Sequence, residues 1–261
     1  MRSFADAGAL VALSGGVDSA LLAAVCAQEL GTRALAVTAA SEAVPDEEVR
    51  AARDLAAAWG LVHETARTHE LSDPRYVANP ADRCAFCKTE LMGVLAPIAR
   101  QRGLGAVLLG VNADDLKDHR PGQQAARERG ALFPLAETGF TKAEVRALAK
   151  AMDLAVWDKP AQPCLASRIP YGQDVTAEKL ARVERAEALL RQEGFPECRV
   201  RHDGLRASLE VPVDRLPGLL ERFGILETGL RTLGFQQVTV DPEGFRSGKL
   251  NDILSGAGSR P

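Results

Sequence analysis

A run near the N-terminus, Ser14-Gly15-Gly16-Val17-Asp18-Ser19, carries the residue types that hold phosphate. Apolar residues Val11–Leu13 lead into it and an alanine- and leucine-rich stretch follows, so the spacing predicts a turn between a buried strand and a helix. Such a turn aims successive backbone N–H groups into one concavity, and the helix N-terminus adds partial positive charge. Glycines let the backbone come close and take conformations closed to other residues. Ser14 and Ser19 supply hydroxyls, and Asp18 can hold a magnesium ion that bridges phosphates. No lysine follows the glycines, so this is not the GxxxxGK[ST] loop. A bare glycine pair would read as a packing turn. The whole hexapeptide in this context favours nucleotide binding.

The cysteines carry the second kind of chemistry. Cys84 and Cys87, in "RCAFCK", form a CxxC at the start of a predicted helix, where thiolates are favoured. Alone, the pair reads equally as a redox dithiol or as helix-cap cysteines, and a zinc site would want a second pair that the chain lacks. Cys26 falls inside an apolar helix and reads as core; Cys198 sits beside a predicted strand with no role assigned. Cys164 lies in the proline-rich "DKPAQPCLASRIPYG", Asp158–Gly172. Element order predicts that this loop and the CxxC share the carboxyl edge of a sheet. Three cysteines beside a nucleotide suit three ligands of a 4Fe–4S cluster with one iron left open, an arrangement fit for holding sulfide.

Several charged residues are candidates for an anionic substrate. Arg199 and Arg201 alternate on a predicted strand and share a face, the geometry of a clamp. Arg168, four residues after Cys164, is another candidate. Asp114, Asp115, Asp118 and Arg120 follow a predicted strand and are placed near the nucleotide. Glu187 and Glu210 are weaker candidates for a metal or substrate contact. His119 and His202 could be ligands, although a lone histidine reads first as a hydrogen-bonded surface residue.

Elements that would position these residues alternate along the first half of the chain. Strands are expected at Ala9–Leu13, Arg33–Ala39, Leu61–Ala66 and Ala106–Val111. Helices are expected at Ser19–Gly31, Pro45–Gly60, Ala81–Gly103 and Thr141–Met152, the last with Thr141 and Glu144 as a capping box. This alternation predicts an α/β fold, a doubly wound parallel sheet. Beyond the proline-rich loop come a helix over Thr176–Gly194, strands at Cys198–His202, Ala207–Val211 and Gln236–Val240, and helices near Val213–Phe223 and Ile225–Leu233. They predict a smaller α+β domain. The expected organisation is a nucleotide domain over 1–165, a substrate and oligomerisation domain over 166–245, and a glycine- and serine-rich tail over 246–261.

Composition narrows the classes. The chain has 261 residues, 46% apolar and 26% charged, with a net charge of −3. It is long enough for two modest domains, and bulk charge does not point to nucleic acid. No stretch reads as a membrane span or secretory leader, and cysteines in such a chain read as cytoplasmic thiols.

The hexapeptide resembles the pyrophosphate loop (PP-loop) of the adenine-nucleotide alpha-hydrolase-like superfamily, which adenylates a substrate oxygen and releases pyrophosphate. That resemblance implies ATP and magnesium on Ser14, Gly15, Gly16, Val17, Asp18 and Ser19, with adenine near Thr38–Ala40. Together with "RCAFCK", "GVNADDLKDHRPG" (Gly110–Gly122), "PCLASRIPYG", "RVRH" and "ASLEV", it is similar to the LarE sulfur transferases over most of the chain. This implies adenylation of carboxylates of pyridinium-3,5-biscarboxylic acid mononucleotide and their conversion to thiocarboxylates. It also implies ATP contacts from Thr38 and Gly110, substrate contacts from Arg168, Arg199, Arg201, Asp115 and Arg120, and a homo-oligomer, a hexamer assembled from trimers. The three cysteines Cys84, Cys87 and Cys164 place the chain with the cluster type, fed by sulfide or a sulfur-donor protein. In the other type the cysteine matching Cys164 gives up its own sulfur. A tRNA thiolase, an ammonia-using amide ligase and a non-enzymatic nucleotide-binding module are the rival readings.

Overall fold

The computed structural model describes residues 6–116, 121–246 and 249. The chain divides into two compact units, Met1–Tyr76 with Asp82–Gln162, and Val77–Ala81 with Pro163–Pro261.

The first unit is built on strands β1 (Ala9–Ala12), β2 (Ala34–Ala40), β3 (Val62–Arg67), β4 (Val107–Leu109) and β5 (Ala131–Leu132). They form one sheet in the order β3-β2-β1-β4-β5, with every pairing parallel. Its helices are α1 (Val17–Leu30), α2 (Asp46–Ala58), α3 (Pro74–Val77, whose last residue passes to the second unit), α4 (Arg83–Gln101), α5 (Pro121–Glu128), α6 (Pro134–Glu137) and α7 (Lys142–Ala151).

Strand periodicity explains the two layers. On β1, Ala9 and Val11 pack with Leu22, Ala23 and Cys26 of α1 and Ala52 and Ala56 of α2. The alternate residue Leu10 packs with Leu91, Met92 and Leu95 of α4 and Ala126 of α5. Side chains of successive strand residues point to opposite faces, so a strand apolar on both is covered on both. The carboxyl ends of β1 and β4 adjoin the centre of the strand order, where doubly wound sheets hold ligands.

The expected strands and helices of this unit are present with ends shifted by at most two residues, and the Thr141–Glu144 capping box forms in full. Elements α3, α5, β5 and α6 are additional.

In the second unit, helix α8 (Ala177–Gln192) packs on strands β6 (Arg199–Asp203), β7 (Arg206–Glu210) and β8 (Gln237–Val240). Strands β6 and β7 are antiparallel; β7 and β8 are parallel, joined through α9 (Leu216–Glu221) and α10 (Phe223–Thr232). The helix expected over Val213–Phe223 is instead a 3-10 turn, Val213–Arg215, followed by α9. Leu190, Val200, Leu209, Leu226 and Leu230 form its core. Among the described residues no helix is long and apolar enough to cross a membrane.

Candidate active site

The Ser-Gly-Gly turn closes on itself through Ser19. The Ser19 hydroxyl accepts from the Ser14 backbone N–H at 3.1 Å and donates to the Gly16 carbonyl at 3.0 Å. Gly15 sits at φ +76°, a left-handed conformation that favours glycine. Gly16 is the N-cap of α1 and has no side chain to satisfy the helix's first N–H groups, which leaves them open to water or a ligand. Gly110, just past β4, lies so close that a Cβ there would stand 2.6 Å from the Ser19 nitrogen. Its glycine identity therefore sets how near β4 comes to the loop.

Asp18 is gripped from two directions. Its Oδ1 accepts from Asn112 Nδ2 at 3.0 Å and its Oδ2 from Lys142 Nζ at 2.5 Å. Asp114 accepts from the Lys142 backbone N–H at 2.8 Å, and Asn112 and Asp115 exchange backbone-to-side-chain bonds at 3.1 and 3.2 Å. On the other side, Lys159 Nζ donates to the Gly15 carbonyl at 3.2 Å and to Glu48 Oε2 at 2.6 Å. Two lysines thus stand against a loop that contains none. A carboxylate at the first turn of α1, flanked by cations, suits a magnesium ion shared with phosphate oxygens.

Sequence reasoning missed Lys142, Lys159, Asn112 and Glu48. Lys142 could have been found as the residue after the helix cap Thr141, Lys159 as the cation opening the proline-rich loop; neither spacing announces a phosphate contact. Thr38, at the carboxyl half of β2, is buried, with its hydroxyl donating to the Leu13 carbonyl at 2.7 Å and lying 2.8 Å from His63 Nε2. Burial, then Arg53, lowers the His63 pKa. Asp118, His119 and Arg120 lie outside the described residues.

The second unit holds the arginines. Arg168, 1% exposed, makes a two-pronged pair with Glu187 at 2.8 and 3.0 Å and donates to the carbonyls of Pro163 and Cys164. Arg201 makes a second two-pronged pair with Glu210 at 3.0 and 2.8 Å and donates to the Ser167 carbonyl. Arg199 is buried, packs on Phe245, and has its pKa lowered to about 10, by burial first and then by Arg168. Three guanidinium groups therefore surround two carboxylates, a surplus of positive charge next to the Cys164 backbone. His202 is not on the surface as expected: it is 1% exposed, edge-on to Phe235, with neither ring nitrogen hydrogen-bonded.

The five cysteines fall into two chemical groups, none in a disulfide. Burial pushes the Cys26 and Cys198 thiols up to about 12, so they are inert. Cys84 is exposed, and Cys87 and Cys164 are half-buried. Cys84 and Cys87 occupy the first turn of α4 three residues apart, adjacent on one helical face. Cys164 is the N-cap of the 3-10 turn Leu165–Arg168. Among the described residues of either unit, no three His, Cys, Asp or Glu side chains form a preassembled metal site. The accessible thiols are Cys84, Cys87 and Cys164.

An all-parallel α/β sheet with a Ser-Gly-Gly turn opening its first helix defines a PP-loop nucleotide domain. Residues 1–162 match the asparagine synthase family. The chain is 47% identical over 249 residues to the uncharacterized protein slr1717 of Synechocystis, covering 95% of this chain and 93% of that one. It is 39% identical over 248 residues to the pyridinium-3,5-bisthiocarboxylic acid mononucleotide synthase of Lactiplantibacillus plantarum, covering 95% of this chain and 90% of that one. The chain is an ATP-dependent enzyme of the asparagine synthase family and, within it, belongs to the LarE family.

Proposed function

We propose that this enzyme adenylates the carboxylates of pyridinium-3,5-biscarboxylic acid mononucleotide and converts them to thiocarboxylates. The observation that carries this reading is the 39% identity, over 95% of the chain, to a relative named for the thiocarboxylate product. The phosphate loop supplies the first step. The substrate carboxylate attacks the α-phosphorus of ATP, an acyl-adenylate forms, and the bond to pyrophosphate breaks. Backbone N–H groups of Ser14–Ser19 hold the departing pyrophosphate, Asp18 would hold the magnesium that accompanies ATP, and Lys142 and Lys159 offset charge as it builds on the phosphates. In the second step a sulfur nucleophile displaces AMP. Arg201, the one of the three arginines with a partly exposed side chain, would meet the mononucleotide's phosphate. The buried Arg168 and Arg199, expected as direct contacts, add positive charge without reaching it, and Asp115 keeps Asn112 in place beside Asp18.

Cys84, Cys87 and Cys164 would hold the 4Fe–4S cluster. When bound, such a cluster would supply the sulfide-level sulfur that displaces AMP. The support is the division of the cysteines: the three accessible thiols are the three that the resemblance assigns as ligands. Exposed apolar side chains on the second unit, Val213, Leu220 and Ile225, support a homo-oligomer.

The test is anaerobic purification with iron and sulfide analysis, followed by intact-protein mass after reaction. The cluster reading predicts that Cys84→Ala, Cys87→Ala and Cys164→Ala each lose iron and sulfur transfer together, with the wild-type mass unchanged by turnover. A protein lighter by one hydrogen sulfide, with dehydroalanine at position 164, overturns the cluster in favour of sacrifice of the Cys164 sulfur.

A further inference from the structure

Helix α7 carries a cation every fourth residue, Lys142, Arg146 and Lys150, which places all three on one side. Each has a different partner. Lys142 reaches Asp18 of the phosphate loop. Lys150 stands over the Trp157 ring, 4.4 Å from its centre. Arg146 donates through one nitrogen to the Trp157 carbonyl at 2.6 Å and through the other to the Lys159 carbonyl at 2.8 Å.

The last contact has a functional consequence. Lys159 opens an irregular stretch: its own N–H donates to the Val156 carbonyl at 3.1 Å, and Pro160, which follows, has no N–H to donate. The side chain of Lys159 then crosses to the Gly15 carbonyl and Glu48. A long flexible side chain presents its ammonium at one point only if its backbone is fixed, and the Arg146 fork fixes two carbonyls at once. We propose that Arg146 is a positioning residue, acting through Lys159, for the binding of ATP phosphates. The inference rests on the reading that Ser14–Ser19 cradles those phosphates. On this account α7 serves the loop twice, by direct contact from Lys142 and by bracing Lys159 through Arg146.

The experiment is calorimetric titration of magnesium ATP into the full-length protein without the pyridinium substrate. Arg146→Ala, Arg146→Lys, Lys159→Ala and the double variant Arg146→Ala/Lys159→Ala are compared with wild type. Arg146→Ala and Lys159→Ala are each expected to weaken ATP binding on the order of tenfold. Arg146→Lys should fall with Arg146→Ala, because an ammonium cannot span both carbonyls in the fork geometry. The double variant should be no weaker than Lys159→Ala alone, since a residue that acts through Lys159 has nothing left to position. Losses that multiply in the double variant, or full affinity in Arg146→Ala, would overturn the proposal. So would loss of the folded circular dichroism spectrum in both Arg146 variants, which would assign the residue to stability. A wild-type protein that binds no ATP would instead refute the phosphate-loop reading, and the proposal with it.

Discussion

Replacing Gly110 by alanine adds one methyl group, and the geometry says where it must go. The new Cβ would lie 2.6 Å from the Ser19 nitrogen and 2.8 Å from both the Asp18 carbonyl carbon and the Ser19 Cα. Restoring ordinary contact at 3.4 Å requires a separation larger by about 0.8 Å. All three atoms are backbone of the first turn of α1, so no side chain can swing away. Overpacking of this kind costs about 1–3 kcal/mol. The displaced segment carries the N–H groups and the Asp18 proposed above to meet phosphate, and misplacing one charge-assisted donor costs about 1.5–3 kcal/mol. Gly110→Ala should therefore be destabilised in urea unfolding and bind magnesium ATP at least about tenfold more weakly. Gly93→Ala is the matched control: it lies within α4 with nothing inside 4 Å. It should gain about 0.5–1 kcal/mol from the helix preference for alanine and leave ATP affinity unchanged. Wild-type ATP affinity in Gly110→Ala would refute the claim that β4 and the loop are set by this contact.

Brief iodoacetamide labelling of metal-free protein, read by peptide mass spectrometry, should modify Cys84, Cys87 and Cys164 while sparing Cys26 and Cys198 until urea is added; early labelling of either buried thiol contradicts their sorting. Arg168→Met should cost about 3–5 kcal/mol by urea unfolding, because it strands the buried Glu187 carboxylate; a loss below about 1 kcal/mol would mean that the pair is readily resolvated. Burial first, then Arg182, lowers the His202 pKa below the ordinary value of 6.5. The unfolded chain therefore binds a proton that the native state refuses, and the stability contributed is full above about pH 6.5 and falls as pH drops below it. His202→Phe should lose less stability than wild type between about pH 7 and pH 5; equal losses would remove His202 as the cause.

Local structure is legible in the sequence where one short segment carries the whole cause. The phosphate loop, the capping box at Thr141 and the Thr176 cap, which accepts from the Lys179 N–H, each depend on neighbours within five residues. Element α5 was hidden because it opens on Pro121-Gly122, a turn signal, although proline is well suited to a first helical turn. Its Gly122 lets α5 approach α4, since a Cβ there would meet the Cys84 carbonyl at 2.8 Å. Two-residue β5 is too short to show any period. At the site, alternation put Arg199 and Arg201 on one side of a strand, but strand register brings in Glu210, opposite Arg199 and diagonal to Arg201. Glu187 arrives from α8, and Lys142 and Lys159 come to the loop from more than a hundred residues away. Such pairings exist only once the sheet order is fixed, and no spacing encodes them.

The central claim is that the Ser14–Ser19 loop serves adenylation. Phosphorus NMR of the products formed from ATP, with the pyridinium biscarboxylate mononucleotide present, tests it most directly. The account predicts AMP and pyrophosphate in equal amounts, their formation dependent on that substrate and abolished in Asp18→Ala. Formation of ADP and inorganic phosphate would contradict it.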